Sequence, residues 1–156
     1  MVIAHSGTDT VTLKTKTETV TIGPGIRIGS FTIPGAGEYD VASIQCEGIP
    51  LTASVAYFIR AEELTTLILD ELDSSVTKLD DVAQVNILVA DLRSDANIDT
   101  LKVITKALEP SYLVLSGAGA TEAVLAALGL PRTEGDTLKI TRVGLPLEGT
   151  SVLIRA

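Results

Sequence analysis

Two hydrophobic rhythms run through this chain, and the order in which they occur most constrains its fold. In the first half apolar residues recur at every second position. Val11 and Leu13 alternate with polar neighbours, and Val20 and Ile22 do so again after a threonine-rich stretch. A period of two puts alternate side chains on opposite faces of a pleated strand, so these segments predict two short strands joined near Lys16–Thr19. Threonine suits the exposed face of such a strand because its branched Cβ is stiff. Ile26–Ile28, Phe31–Ile33 and Glu38–Ile44 continue the β pattern, divided by Gly and Pro. Ala56–Arg60 and Thr65–Leu69 predict a further hairpin turning at Ala61–Leu64.

In the second half strands alternate with helices. Ser74–Val82 predicts a short helix, and Asn86–Ala90 a buried strand. Over Asp99–Leu108 the residues Leu101, Ile104, Thr105 and Leu108 share one helical face, with Asn97 or Asp99 as its cap. Glu109–Pro110 stops that helix before a buried strand, Tyr112–Leu115. Thr121 can cap a helix running to Leu128, with Gly129 in the left-handed position and Pro131 just beyond. Leu138–Arg142 and Ser151–Arg155 close the chain as strands linked by a turn containing Pro146 and Gly149. Strands first and strand–helix alternation afterwards imply an α/β sandwich, two layers of sheet with helices packed outside. No repeat, linker or low-complexity tract divides the 156 residues, so one domain spanning 1–156 is expected.

Aromatic residues make up only 3% of the chain and Trp is absent, so the core has to be aliphatic. A formal net charge of −8 argues against nucleic acid and against an anionic membrane surface, both of which need clustered Lys and Arg. A single cysteine forms no internal disulfide. The opening residues lack a charged-then-apolar signal pattern, and no apolar run approaches the roughly 20 residues of a spanning helix. A cytoplasmic protein is expected.

Groups able to do chemistry are sparse. His5, the only histidine, sits in a short polar opening and is expected at an exposed or edge-strand position. The densest acidic run is Asp70, Glu71 and Asp73, with Asp80 and Asp81 nearby. Oxygen-only cation sites use such groups, but a solvated acidic face is the simpler expectation. Asp91, Asp95 and Asp99 follow a buried strand, where α/β proteins place site residues, although capping and loop solvation also account for them. Cys46 reads as a small buried hydrophobe. The glycines of GPGIRIG and SGAGATE fit tight turns; the second run, Ser116–Thr121, could instead present backbone N–H groups to an anion.

Three stretches together resemble the metallo-β-lactamase fold, in particular its small bacterial branch of metal-dependent hydrolases related to the ascorbate-6-phosphate lactonases. They are PGAGEYDVASIQCEGIP (Pro34–Pro50), NILVADLRSDANIDTLKVITKALEPSYLVLS (Asn86–Ser116) and LKITRVGLPLEGTSVLIRA (Leu138–Ala156). The opening IAHSGTDTVTLKT is similar to that branch's first strand. The resemblance implies a shortened metallo-β-lactamase-like β-sheet sandwich with outer helices, and in an intact relative a metal-activated water.

The departures bear on function. The resemblance implies a His-x-His-x-Asp-His loop, yet here Thr19–Pro24 runs almost directly into Gly35–Tyr39. The bridging aspartate it implies falls at Asp70 or Glu71, the last histidine at Ser116 and Gly117, and the opening His-Gly at Ser6-Gly7. One imidazole and one thiol cannot build a dinuclear site. The expectation is a catalytically inactive protein without cofactor, catalytic residue or metal ligand, acting as a structural or self-associating scaffold. Strands around Thr10–Thr21 and Phe31–Ile33 would supply edges or faces for a second copy. The rivals are a residual hydrolase with a cation held by Asp70, Glu71 and Asp91, and a small anion or ligand module built on Ser116–Thr121.

Overall fold

Short turns between period-two segments favour antiparallel neighbours, whereas parallel neighbours need a crossover of a dozen or more residues. The computed structural model, which describes residues 1–80, 84–93 and 97–154, follows that division. In its first part the strands are β1 (Val2–His5), β2 (Val11–Lys14), β3 (Thr19–Ile22), β4 (Ile26–Ile28), β5 (Phe31–Thr32), β6 (Gly37–Val41), β7 (Ile44–Pro50), β8 (Val55–Ala61) and β9 (Leu64–Leu69). A 3₁₀ turn over Ser74–Lys78 comes next. Then follow β10 (Ile87–Asp91), α1 (Ile98–Leu108), β11 (Tyr112–Ser116), α2 (Glu122–Leu128), β12 (Arg132–Thr133), β13 (Thr137–Lys139) and β14 (Ser151–Ile154).

Two sheets result. The first has six strands in the order β13-β1-β2-β3-β4-β5 and is antiparallel throughout. The second has eight, in the order β12-β14-β11-β10-β9-β8-β7-β6. Its β12 to β9 half is parallel and its β9 to β6 half antiparallel. Ile3, Leu13, Val20 and Ile28 of the first sheet pack against Ile44, Ile59, Ile87 and Val114 of the second. The opposite face of the second sheet buries Phe58, Leu67, Leu88 and Leu113 beneath Leu101 and Ile104 of α1 and Val124 of α2. Adjacent residues of β10 and β11 thus enter different cores, which is why those strands read as unbroken apolar runs. The core is aliphatic, with Phe58 as its one buried aromatic ring among the described residues.

The architecture is the expected α/β sandwich, with differences in detail. Among the described residues helices cover only the second sheet, because the turns joining β1 to β5 are too short to carry one. The outer face of the first sheet, including Thr12, Lys14, Thr21 and Arg27, is exposed or half-buried. Strands β2 and β3 lie in the sheet interior and offer a face but no edge; β5 is an edge of two residues. The predicted strand Glu38–Ile44 is in fact a hairpin. It turns at Ala42 and Ser43, whose positive φ values of 51° and 63° belong to a two-residue turn without the usual Gly or Asn signal.

The predicted helix Ser74–Val82 is a 3₁₀ turn whose cap, Asp73, accepts the Ser75 N–H at 2.9 Å and the Ala53 N–H at 3.0 Å; Val82 lies outside the described residues. Strands β13 and β14 do not pair: one borders β1 and the other enters the second sheet beside β11. Arg155, at the end of the predicted last strand, also lies outside the described residues. Neither Asn97 nor Thr121 makes a side-chain capping bond, whereas Gly129 adopts the expected left-handed conformation. None of the described helices is long and apolar enough to cross a membrane.

Candidate functional site

Parallel pairing in register brings strand ends together. Leu69 is the partner of Ala90, and Asp91 the partner of Ser116. Asp70, Asp91 and Ser116 therefore stand side by side where β9, β10 and β11 end, the edge at which open α/β sheets place their sites. The loop after β1 crosses to this edge: the Thr8 carbonyl accepts the Gly117 N–H at 3.2 Å. Arg93, two residues beyond Asp91, donates from Nη2 to the Asp70 carbonyl at 3.5 Å.

Asp91 is the electrostatic centre of this edge. Burial pushes its carboxyl above the ordinary aspartate range; the Arg93 guanidinium opposes that rise, and the Asp9 and Asp70 carboxylates reinforce it. A carboxylate that must ionise close to two others is retained at some cost to the folded state. Gly117 packs directly on it. With φ of +86°, its backbone is one that L side chains rarely adopt, and a Cβ there would collide with Asp91 Oδ1 and the Leu92 carbonyl.

The glycine turn after β11 is self-contained. The N–H groups of Gly117, Gly119, Ala120 and Thr121 donate to Thr8, Leu92, Gly117 and Gly119 in turn. None of these four is left for an anion, and α2, at seven residues, is too short to add a useful dipole. Four N–H groups of the Ser116–Thr121 turn are thus spent holding the strand ends together.

The other predicted residues scatter. Asp70 and Glu71 are both exposed. Asp73 serves as the cap already described, and Asp99 lies in the first turn of α1. Asp81 and Asp95 lie outside the described residues. His5 ends β1 between β13 and β2, and both its ring nitrogens are shielded from solvent. It is neither exposed nor on an edge strand, because β13 closes over β1 from the far end of the chain. Cys46 is buried between the sheets, and burial pushes its thiol up to about 11, as a small hydrophobe requires. Sequence reading missed Asp9, Thr8 and Arg93. Arg93 carried a readable signal, being two residues past an aspartate at a strand end. Asp9 carried none, since only the sheet-to-sheet crossing brings it here.

No family model matches the chain, and no curated protein does either. Among solved structures it is similar to a candidate Zn-dependent hydrolase of the metallo-β-lactamase superfamily from Thermotoga maritima. The two superpose with a TM-score of 0.74 over 100% of each chain, at 13% identity. This chain has the metallo-β-lactamase fold. At that identity the likeness concerns backbone alone, so the zinc that such hydrolases imply has to be tested on the residues present. Zinc sites draw on imidazole, thiolate and carboxylate donors converging on the ion. The one thiol in the sequence is the buried Cys46, distant in the fold from Asp91, and there is one imidazole. Among the described residues no three His, Cys, Asp or Glu side chains are grouped to hold a metal ion. At the strand ends two exposed carboxylates, a half-buried one and a guanidinium meet instead. That donor set does not fit the dinuclear zinc of a metallo-β-lactamase-fold hydrolase.

Proposed function

We propose that this chain is a catalytically inactive protein of the metallo-β-lactamase fold with a structural, self-associating role. One observation carries the reading: Asp91, the central acidic group at the strand ends, is walled by the Gly117 backbone and faced by Arg93 rather than by imidazoles. Metal-activated water requires open coordination positions and basic donors, and this edge supplies a competing cation in their place. The remainder of the proposal is a cytoplasmic protein whose partner is another copy of itself; a net charge of −8 supports the exclusion of nucleic acid and anionic membrane from its partners.

A residual hydrolase with a cation on Asp70, Glu71 and Asp91 is the second reading. The crowding of Asp70 against Asp91 favours it. Elemental analysis of protein purified without chelator, together with ester and lactone hydrolysis assays under added Zn²⁺ and Mn²⁺, separates the two. Substoichiometric metal and no turnover are expected. About one transition metal per chain, lost on Asp91→Asn together with a measurable hydrolysis rate, would overturn the first reading in favour of the second.

A further inference from the structure

A sheet edge is a row of unpaired backbone groups, and of the four edges among the described residues one is long enough to hold a strand. β6 has five residues, against two in β5 and β12 and three in β13. Among the described residues its backbone pairs with β7 alone. The β6–β7 turn has two residues, so Val41 and Ile44 form a hydrogen-bonded pair, and by alternation so do Tyr39 with Cys46 and Gly37 with Gly48. The N–H and C=O groups of Glu38 and Asp40 therefore point the other way, out from the sheet. They present donors and acceptors already spaced for another strand.

The side chains along this edge divide by face. On one face Glu38 lies directly opposite Glu47, and Asp40 opposite Gln45. Glu38 and Glu47 form the closer, non-hydrogen-bonded kind of pair, in which like charges destabilise a sheet. Arg60 meets Glu47 at 2.9 Å and sits over the Phe58 ring, 5.7 Å from its centroid. Glu38 and Asp40 are exposed and have no ion pair with any described residue. Glu38, Asp40, Glu47 and Arg60 all line a groove of about 470 Å³. On the other face Tyr39 neighbours Phe31, with ring centroids 6.0 Å apart. Phe31 is 43% exposed, so an aromatic surface lies open at the same edge.

We propose that β6 is a docking edge for an extended basic segment of another protein, one in which Lys or Arg alternates with apolar residues. The segment pairs its backbone with that of Glu38 and Asp40, as in other cases of strand addition. The residues it sets opposite Glu38 and Asp40 are its cations, which relieve the repulsion between Glu38 and Glu47. Its alternate residues fall on the other face and extend the surface of Tyr39 and Phe31. Charge selects this occupant. A second copy of β6 would bring carboxylates against carboxylates, and charged side chains keep such edges apart. A net charge of −8 draws a basic partner in. The proposal goes beyond self-association and stands without it.

Titrating the full chain into a labelled, end-capped peptide of alternating lysine and valine tests it, read by fluorescence anisotropy. Saturable binding is expected, weakened about tenfold or more by Glu38→Lys with Asp40→Lys, with thermal melts confirming that the variant folds. Glu134→Lys with Glu148→Lys makes the same change in net charge at exposed positions off this edge and is expected to alter binding by about twofold at most. A peptide with the same lysines and valines in two blocks, or one N-methylated at the amides that face β6, is expected to bind about tenfold more weakly or worse. Equal binding by either altered peptide overturns strand addition, and so does equal weakening by the two charge reversals. No saturation up to about 1 mM overturns the docking edge outright. A wild-type dimer lost on Glu38→Lys with Asp40→Lys would give the edge to a second copy and overturn the basic partner.

Discussion

Asp91 and Gly117 act as one unit at the strand ends, and each makes a measurable demand on the fold. The folded state holds the Asp91 carboxyl above its unfolded value, so folded protein binds that proton more readily than unfolded chain does. The stability cost is absent below the unfolded pKa, about 3.9 for an aspartate, grows as pH rises towards the folded value and is complete above it. Asp91→Asn is therefore expected to raise the melting temperature at about pH 7, with the gain shrinking to nothing near about pH 3. A gain that persists in acid would mean that packing, not charge, was relieved. Gly117 sets the opposite expectation. Gly117→Ala adds a Cβ at a φ of +86° against Asp91 Oδ1, so a loss of about 2 kcal/mol or more is expected, read as a fall in denaturation midpoint. In an Asp91→Ala background the loss shrinks, because one of the two colliding groups is gone. Equal losses in both backgrounds would assign the whole cost to the backbone.

Hairpins are the elements in which local sequence and fold agree least. The β6–β7 turn uses Ala42 and Ser43, and the β8–β9 turn uses Glu62 and Glu63, all four at positive φ. Such two-residue turns favour Asn-Gly, since a Cβ in the left-handed region costs about 1–2 kcal/mol per residue. At the second turn the cost has a return: Glu62 Oε1 accepts the Lys16 N–H at 2.8 Å, tying the second sheet to the β2–β3 hairpin of the first. Ala42 and Ser43 have no such tie. Replacing them with Asn and Gly is expected to stabilise the protein by about 1 kcal/mol, or about 2–4 °C in melting temperature by calorimetry. The same change at Glu62 and Glu63 is expected to gain less, because it removes that contact. If both pairs respond alike, the sheet-to-sheet bond contributes nothing.

The whole molecule shows which physics a sequence exposes and which it conceals. Period-two runs in β2, β3 and β4, unbroken apolar runs in β10 and β11, and the α1 face of Leu101, Ile104 and Leu108 were legible because burial dictates them. The hairpin at Ala42, the union of β1 with β13 and the parting of β13 from β14 were not, since turn strain and long-range pairing leave no periodic trace. The strand-end cluster was half legible: Asp70 and Asp91 follow strands, while Asp9 arrives across the sandwich.

Charge at this scale yields a last expectation. Two copies at −8 each, centred about 40 Å apart, repel by about 7 kcal/mol in pure water, a term almost abolished at 0.15 M salt and partly restored at about 0.01 M. Exposed ion pairs across an interface return about 0–1 kcal/mol each. Net repulsion outweighs them, so lowering salt from about 0.15 to about 0.01 M is expected to raise the dimer's dissociation constant roughly tenfold. Sedimentation across a salt series reads the slope directly. Tighter association at low salt would mean that local ion pairs, and not net charge, govern the interface.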